Sequence, residues 1–214
     1  MRATIVVIAT VLLALWPGRS QAQCDQCQGD FNYDGQVTID ELVTAVNNAL
    51  NDCPAPGARF LDNGDGTITD SRTGLQWEKK SDDASIHNKD NTYTWTAGSP
   101  YDPNGTAFTV FLATLNREPC FAGHCDWRLP SAAELQGLVD HTLWAPAIDP
   151  IFNMACAPGC TITACSCTVS DFYWTSTPMA ELPDYTWSVD LNYGVVNLYD
   201  KTLRYYVRAV RSGS

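Results

Sequence analysis

The chain has 214 residues and is acidic, with 24 Asp and Glu against 13 Lys and Arg and a net charge of −11 at pH 7. This balance argues against nucleic acids, anionic membranes and other polyanions as partners, because such partners are attracted to basic surfaces. Charged residues make up only 17% of the sequence and aromatic residues 11%, a composition that predicts a folded core.

The first 22 residues have the features of a secretory signal peptide. Arg2 supplies a short charged start, an apolar stretch covers Ile5–Leu15, and small residues end at Ala22, where we expect cleavage. The stretch is short for a membrane anchor, which needs about 20 residues. Bulky Gln23 argues against lipid attachment at Cys24. No later segment is long and apolar enough to span a membrane, so we expect a secreted, periplasmic or cell-surface protein.

All nine cysteines follow the predicted leader, and an oxidising compartment favours disulfides. One group is odd in number, so we expect Cys24 or Cys27 to be free or to pair elsewhere. The other group is even, and we expect it to form three disulfides, one of them Cys120–Cys125. Zinc bound by its last four members is the alternative, although no histidine lies among them. The groups are Cys24, Cys27 and Cys53, and then Cys120, Cys125, Cys156, Cys160, Cys165 and Cys167.

A calcium-binding EF-hand loop is predicted at residues 30–41. Calcium prefers six to eight oxygen ligands, and the loop places them at alternating positions around Gly35, which permits the sharp turn. An amphipathic helix is expected from Ile39 to about Asn51. The alternative is a surface turn rich in Asp, Asn and Gly. The predicted ligands are Asp30, Asn32, Asp34, Gln36 (through its backbone carbonyl), Thr38 and Glu41.

The loop lacks an entering helix and in this respect resembles half of a dockerin. Dockerins carry two such repeats and bind a cohesin, whereas this chain has one repeat and Glu41 where dockerins more often have Asp. The resemblance therefore supports calcium and export, and a cohesin-like partner is not expected. Asp62–Gly66 superficially resembles a second loop but has glycine at the fifth position, and we interpret it as a hairpin turn.

The Pro- and Gly-rich segment 54–58 predicts a linker between a calcium repeat at residues 23–53 and a larger domain at residues 59–212. Alternating apolar and polar residues between turn residues predict three early strands and several late ones. Apolar residues at helical spacing predict two helices between them. The fold class is therefore α+β. The strands are expected at Arg59–Asp62, Thr67–Asp70, Gly74–Glu78, Tyr173–Ser176, Trp187–Leu191, Val195–Tyr199 and Tyr205–Val210, and the helices at Thr106–Asn116 and after a capping box that begins at Ser131.

Five stretches of the larger domain resemble the Lcl C-terminal domain family of bacterial extracellular modules. They are Arg59–Asp70, Thr73–Trp77, Trp127–Leu135, Tyr173–Ser176 and Tyr206–Arg211. The resemblance implies a C-type-lectin-like fold in which both ends of the domain share one sheet and disulfides staple long loops. Physical considerations place Trp77, Trp127 and Trp174 in the core and predict that Arg128 and Arg208 are buried or half-buried and pair with Asp or Glu.

The same stretch around Trp127 is similar to formylglycine-generating enzymes, but no cysteine follows Cys167 to provide their copper-binding pair. The histidines are isolated in sequence, and no nucleophile motif is present, so we do not expect an enzyme.

Because members of the resembling family occur in adhesins, we expect a module that binds an extracellular glycan or a surface protein. An unrecognised hydrolase or oxidase and a structural envelope component are the alternatives. Residues of the types that stack on sugars or bond to them occur late in the chain, at Trp187, Asp190, Asn192 and Tyr193. The alternative for these four is an ordinary role within strands.

Overall fold

The computed structural model describes residues 58–213 together with position 39. The chain divides into two units, Met1–Ala58 and Arg59–Ser214, and the described residues other than positions 39 and 58 belong to the second. The predicted leader, the six predicted calcium ligands and Cys24, Cys27 and Cys53 lie outside the described residues. Within the described part, helices are too short or too polar to cross a membrane.

The first sheet contains both ends of the domain, as the family resemblance implied. Its strands are β1 (Phe60–Asp62), β2 (Thr67–Asp70), β3 (Leu75–Glu78) and β9 (Val210–Ser212), in the order β1-β2-β3-β9, with antiparallel pairing throughout. The predicted hairpin turn is confirmed. Asp62 accepts a hydrogen bond from the backbone N–H of Gly64, and Asp65 accepts bonds from the backbone and hydroxyl of Thr67.

The second and third sheets are also antiparallel. One contains β5 (Phe172–Pro178), β6 (Tyr185–Asp190) and β7 (Val195–Asp200), in chain order, and the other pairs β4 (Tyr93–Thr94) with β8 (Arg204–Tyr205).

The predicted strand Tyr205–Val210 is wrong as one element, because the chain changes partners along it. Tyr206 exchanges backbone hydrogen bonds with residues 172 and 174, whereas Val210 pairs with Trp77 of β3.

Both predicted helices exist, and both are short. Residues Ala107–Leu112 form a π-helix that leads into α1 (Ala113–Leu115), and α2 spans Ala132–Gln136. The predicted capping box begins α2: the Ser131 hydroxyl accepts from the Glu134 N–H, and the Glu134 carboxylate accepts from the Ser131 N–H. Short 3₁₀ turns occur at Phe121–Gly123 and Pro150–Asn153.

Two apolar clusters form the core, and the predicted tryptophans lie within them. Trp77 packs in the cluster that also contains Tyr173, Leu135 and Phe152, whereas Trp127 and Trp174 belong to the other. Each of the three indoles is almost fully buried. They therefore contribute apolar burial to the fold and do not form an exposed platform.

The two singled-out arginines have different partners. Arg128 makes the predicted pair, donating from both terminal nitrogens to the carboxylate of Glu134 at 2.7 and 2.8 Å. Arg208 is fully buried, as predicted, but its predicted carboxylate partner is wrong. Its guanidinium donates to the backbone carbonyls of Glu78 and Cys167 and to the hydroxyl of Thr168. These bonds use both terminal nitrogens, whereas Nε is buried without a hydrogen-bond partner among the described residues.

The six late cysteines form three disulfides, as predicted. Cys120 pairs with Cys125, Cys156 with Cys167, and Cys160 with Cys165. The sulfurs of Cys156, Cys160 and Cys167 lie within 4.8 Å of one another, close enough in space to resemble a metal site. Because each is bonded to another sulfur, none is the free thiolate that zinc requires. The structure therefore supports disulfides over the zinc alternative.

Candidate functional site

A loop between α2 and β5 projects Trp144 into solvent. Its two ends meet where Val139 and Ile148 form an isolated antiparallel bridge. Asp140 shapes the start of the loop, since its carboxylate accepts hydrogen bonds from the backbone N–H and the hydroxyl of Thr142 at 2.8 and 2.6 Å. These bonds hold the pKa of Asp140 below its ordinary value, so the carboxylate stays ionised. The loop is thus a closed and locally bonded segment with an exposed indole near its tip.

The turn between β6 and β7 is the second component. The carboxylate of Asp190 accepts from the backbone N–H of Asn192 at 2.7 Å, and its carbonyl accepts from the N–H of Gly194 at 2.8 Å. Gly194 has a φ of +73°, and a Cβ there would overlap Val139 Cγ1 and crowd the His141 ring. A glycine is therefore required where this turn packs against the base of the loop.

Backbone hydrogen bonds join the loop to the turn. The N–H of Ala145 donates to the carbonyl of Asn192 at 3.0 Å, and the N–H of Ala147 donates to the carbonyl of Leu191 at 2.7 Å. Trp144 precedes Ala145 and Tyr193 follows Asn192, so the hydrogen bond between Ala145 and Asn192 joins the neighbours of the two aromatic residues. Ala145 has a φ of +51°, a left-handed conformation that costs an alanine about 1–2 kcal/mol.

The result is a surface with two exposed aromatic side chains on bonded supports. Trp144 is 76% exposed and Tyr193 is 67% exposed, and both rank among the most exposed large hydrophobic residues of the described part. The exposed His141 belongs to the loop and the partly exposed Asn192 to the turn, and both side chains can donate and accept hydrogen bonds. We refer to Trp144, Tyr193, His141 and Asn192 as the Trp144–Tyr193 surface. Exposed aromatic faces next to polar groups are suited to binding a ligand with apolar and hydroxyl-bearing faces.

The four ligand residues predicted from sequence have separate positions. Asn192 and Tyr193 lie on the Trp144–Tyr193 surface. Asp190 is buried and serves the turn, because its carboxylate is bonded to the Asn192 N–H. Trp187 lies half-buried on β6, three residues before Asp190, and side chains three apart on a strand point to opposite faces. The structure therefore places Asn192 and Tyr193 together and uses Asp190 to hold their turn, whereas Trp187 lies apart from them.

Trp144 was not predicted from the sequence. The segment around it has neither helical nor alternating periodicity, and its exposure depends on contacts with a turn almost fifty residues later. Pro146 and the absence of a strand pattern indicate a loop, and this was the sequence feature that could have pointed to Trp144.

A buried ionic cluster is the second concentration of chemistry. The carboxylate of Glu78 accepts from Lys80 Nζ at 2.9 Å, from the backbone N–H of Ala209 at 3.0 Å, and lies 2.8 Å from His87 Nδ1. Burial by itself raises the pKa of Glu78, but the Lys80 charge and the contact with His87 outweigh it and leave that pKa below its ordinary value. Glu78 is 0% exposed and Lys80 3%, so the cluster fixes the fold and presents neither group to a ligand.

The comparisons place the chain in a family. Residues 66–211 match the sequence pattern of the Lcl C-terminal domain. Searches of curated proteins and of solved structures found no match. The match covers more than half of the 214 residues and includes the loop, the turn and all three described disulfides. The chain therefore belongs to the Lcl C-terminal domain family.

Proposed function

We propose that this chain is an exported calcium-binding protein whose larger domain has a C-type-lectin-like fold and binds an extracellular glycan through the Trp144–Tyr193 surface. The observation that carries the proposal is the pair of exposed aromatic residues on two segments joined by backbone hydrogen bonds. These bonds keep the two backbone segments in place before a ligand arrives, which lowers the entropy lost on binding.

The arrangement of elements supports the lectin-like fold. The first and last strands share one sheet, and a long irregular region between α2 and β5 carries Trp144 and two of the disulfides. Binding residues on loops above a rigid scaffold are a common design of recognition domains.

The chemistry of the surface favours a neutral glycan. The aromatic faces of Trp144 and Tyr193 can stack on the C–H faces of a sugar ring, and His141 and Asn192 can bond to its hydroxyls. The net charge of −11, with ionised Asp140 on the same loop, disfavours polyanionic chains such as sulfated polysaccharides.

The alternatives have less support in the described part of the chain. A hydrolase of glycosides would be expected to have paired carboxylates facing a cleft. The groove lined by residues 84–86, residues 90–93 and Arg204 has Asp90 as its one acidic lining residue. A purely structural component would not be expected to expose two large aromatic side chains on adjoining segments.

A glycan-array screen of the mature protein tests the proposal. We expect binding to neutral glycans that is lost in the Trp144→Ala/Tyr193→Ala double variant and retained in Leu203→Ala, which removes an exposed apolar side chain elsewhere. Equal binding by the double variant and the wild type, or no glycan bound at all, would contradict the proposal. Binding of a surface protein without any glycan would also contradict it.

The calcium part of the proposal rests on the sequence pattern of residues 30–41. Isothermal titration should show one calcium ion bound per chain and a sharp loss of affinity in Glu41→Gln, which removes a charge from the closing ligand. Asp65→Asn is the control, because the Asp65 carboxylate is bonded to Thr67 within the β1–β2 turn. Equal losses in both variants, or no heat from the wild type at millimolar calcium, would overturn this part.

A further inference from the structure

A groove separate from the Trp144–Tyr193 surface lies between residues 84–86, residues 90–93 and the side chain of Arg204. Its volume is about 480 Å³, and it shares no lining residue with that surface. Sites for small molecules typically have volumes of about 300–1,000 Å³. The volume of the groove therefore lies within the range of small-molecule sites.

One wall of the groove is fixed by its own hydrogen bonds. The amide of Asn91 donates to the carbonyls of Ser85 and Ile86 at 3.0 and 3.4 Å, and Asp83 accepts from the Ser85 N–H at 2.9 Å. His87, which follows Ile86, has its Nδ1 atom 2.8 Å from the carboxylate of buried Glu78. The wall does not need a ligand to order it, so the groove is preformed.

The other wall presents a positioned cation. Arg204 donates from Nε to the hydroxyl of Thr92 at 3.3 Å and from one terminal nitrogen to the Thr92 carbonyl. Within residues 58–213, Arg204 has no carboxylate within ion-pair distance, and its second terminal nitrogen has no partner. A guanidinium held in one orientation with free N–H groups is a ready partner for a carboxylate.

The groove also contains a negative charge. Asp90 is exposed, and one of its oxygens accepts from the neighbouring Lys89 at 2.7 Å, while its other oxygen has no partner in the described part of the chain. The groove is also lined by the apolar side chains of Ala84 and Ile86 and by Tyr93. Burial, together with the charge of Glu78, raises the pKa of Tyr93 to about 12, so this phenol adds no charge.

A cation, an anion and an apolar patch in one groove match a ligand with the same three features. We propose that this groove binds a free α-amino acid. Its carboxylate contacts Arg204, its ammonium contacts Asp90, and a medium-sized apolar side chain lies against Ile86 and Tyr93. This inference does not depend on glycan binding at the Trp144–Tyr193 surface.

Three probes separate the contributions of the two charges. L-leucine carries both charged groups, its 2-hydroxy acid analogue keeps only the carboxylate, and isopentylamine keeps only the ammonium. Isothermal titration of the mature protein should give leucine the highest affinity. Arg204→Gln should weaken leucine and the hydroxy acid about tenfold or more. Asp90→Asn should weaken leucine by a similar factor and leave the hydroxy acid within about twofold of its wild-type affinity.

Two further variants keep the test decisive. Arg117→Gln removes an exposed arginine outside the groove and should leave leucine binding unchanged. Arg204→Lys keeps the charge without the planar fork and should bind leucine with an affinity between those of the wild type and Arg204→Gln. Wild-type affinity for leucine in Arg204→Gln, equal losses in Arg117→Gln, or no binding by the wild type at millimolar leucine would each overturn the proposal.

Discussion

Replacing Glu78 by Gln should strongly destabilise the larger domain. Lys80 is only 3% exposed and has Glu78 as its ion-pair partner, so the neutral amide leaves a cation in the interior without a compensating charge. The amide must also turn its NH₂ group either toward the Ala209 N–H or toward the position that contacts both Lys80 Nζ and His87 Nδ1. Removing one member of a buried ion pair costs about 3–5 kcal/mol. For a domain of this size, such a loss lowers the melting temperature by about 10 °C.

Thermal unfolding followed by tryptophan fluorescence measures this effect, because every tryptophan after the predicted leader lies in the larger domain. Glu181→Gln changes an exposed carboxylate and should leave the melting temperature unchanged. The double variant Glu78→Gln/Lys80→Met removes the unpaired cation and should recover at least about 1 kcal/mol relative to Glu78→Gln. A melting temperature of Glu78→Gln within about 2 °C of the wild type would refute the reasoning, and so would additive losses in the double variant.

Two further predictions concern the capped helix and the candidate site. The hydrogen bonds from Arg128 hold the pKa of Glu134 at about 2, below its ordinary value of 4.5. The resulting stability is present above about pH 4.5 and is lost as pH falls toward 2, so chemical denaturation should show Glu134→Gln less stable than the wild type at pH 7 and the difference nearly gone at pH 2. Gly194→Ala places a Cβ against Val139 at a positive φ, and we expect a loss of about 1–3 kcal/mol in the free energy of unfolding. Gly159→Ala, also at positive φ but in open space, should lose less, and equal losses would contradict the packing argument.

Much of the fold was predictable where the determinants are local. The β1–β2 hairpin follows from Asp, Asn and Gly residues that bond within the turn, and the α2 start follows from the reciprocal bonds of Ser131 and Glu134. Cys120–Cys125 follows from an even count and proximity. Each of these depends on residues fewer than seven positions apart.

The interpretation failed where partners are distant in sequence. Arg208 bonds to carbonyls 130 and 41 residues away, and a sequence pattern does not show that such carbonyls converge on one cation. The pairing of β4 with β8 joins two-residue strands, which are too short to show any alternation. The break in the predicted strand Tyr205–Val210 also depends on distant partners, because Tyr206 bonds to residues 172 and 174 whereas Val210 pairs with Trp77.

The candidate site was predictable only in part. A late aromatic and polar cluster indicated Asn192 and Tyr193, and alternation along the predicted strand Trp187–Leu191 already sets Trp187 on the opposite face from Asp190. Trp144 joins the site through backbone bonds between two loops, and such bonds depend on the folded chain.

The most direct test of the account compares two tryptophan variants against one glycan selected by array screening. Titration calorimetry should show at least a tenfold loss of affinity in Trp144→Ala, because this variant removes the most exposed aromatic face of the Trp144–Tyr193 surface. Trp187→Ala, which changes a half-buried tryptophan of β6 outside that surface, should retain an affinity within about twofold of the wild type. Unchanged affinity in Trp144→Ala, or a larger loss in a folded Trp187→Ala protein, would contradict the account.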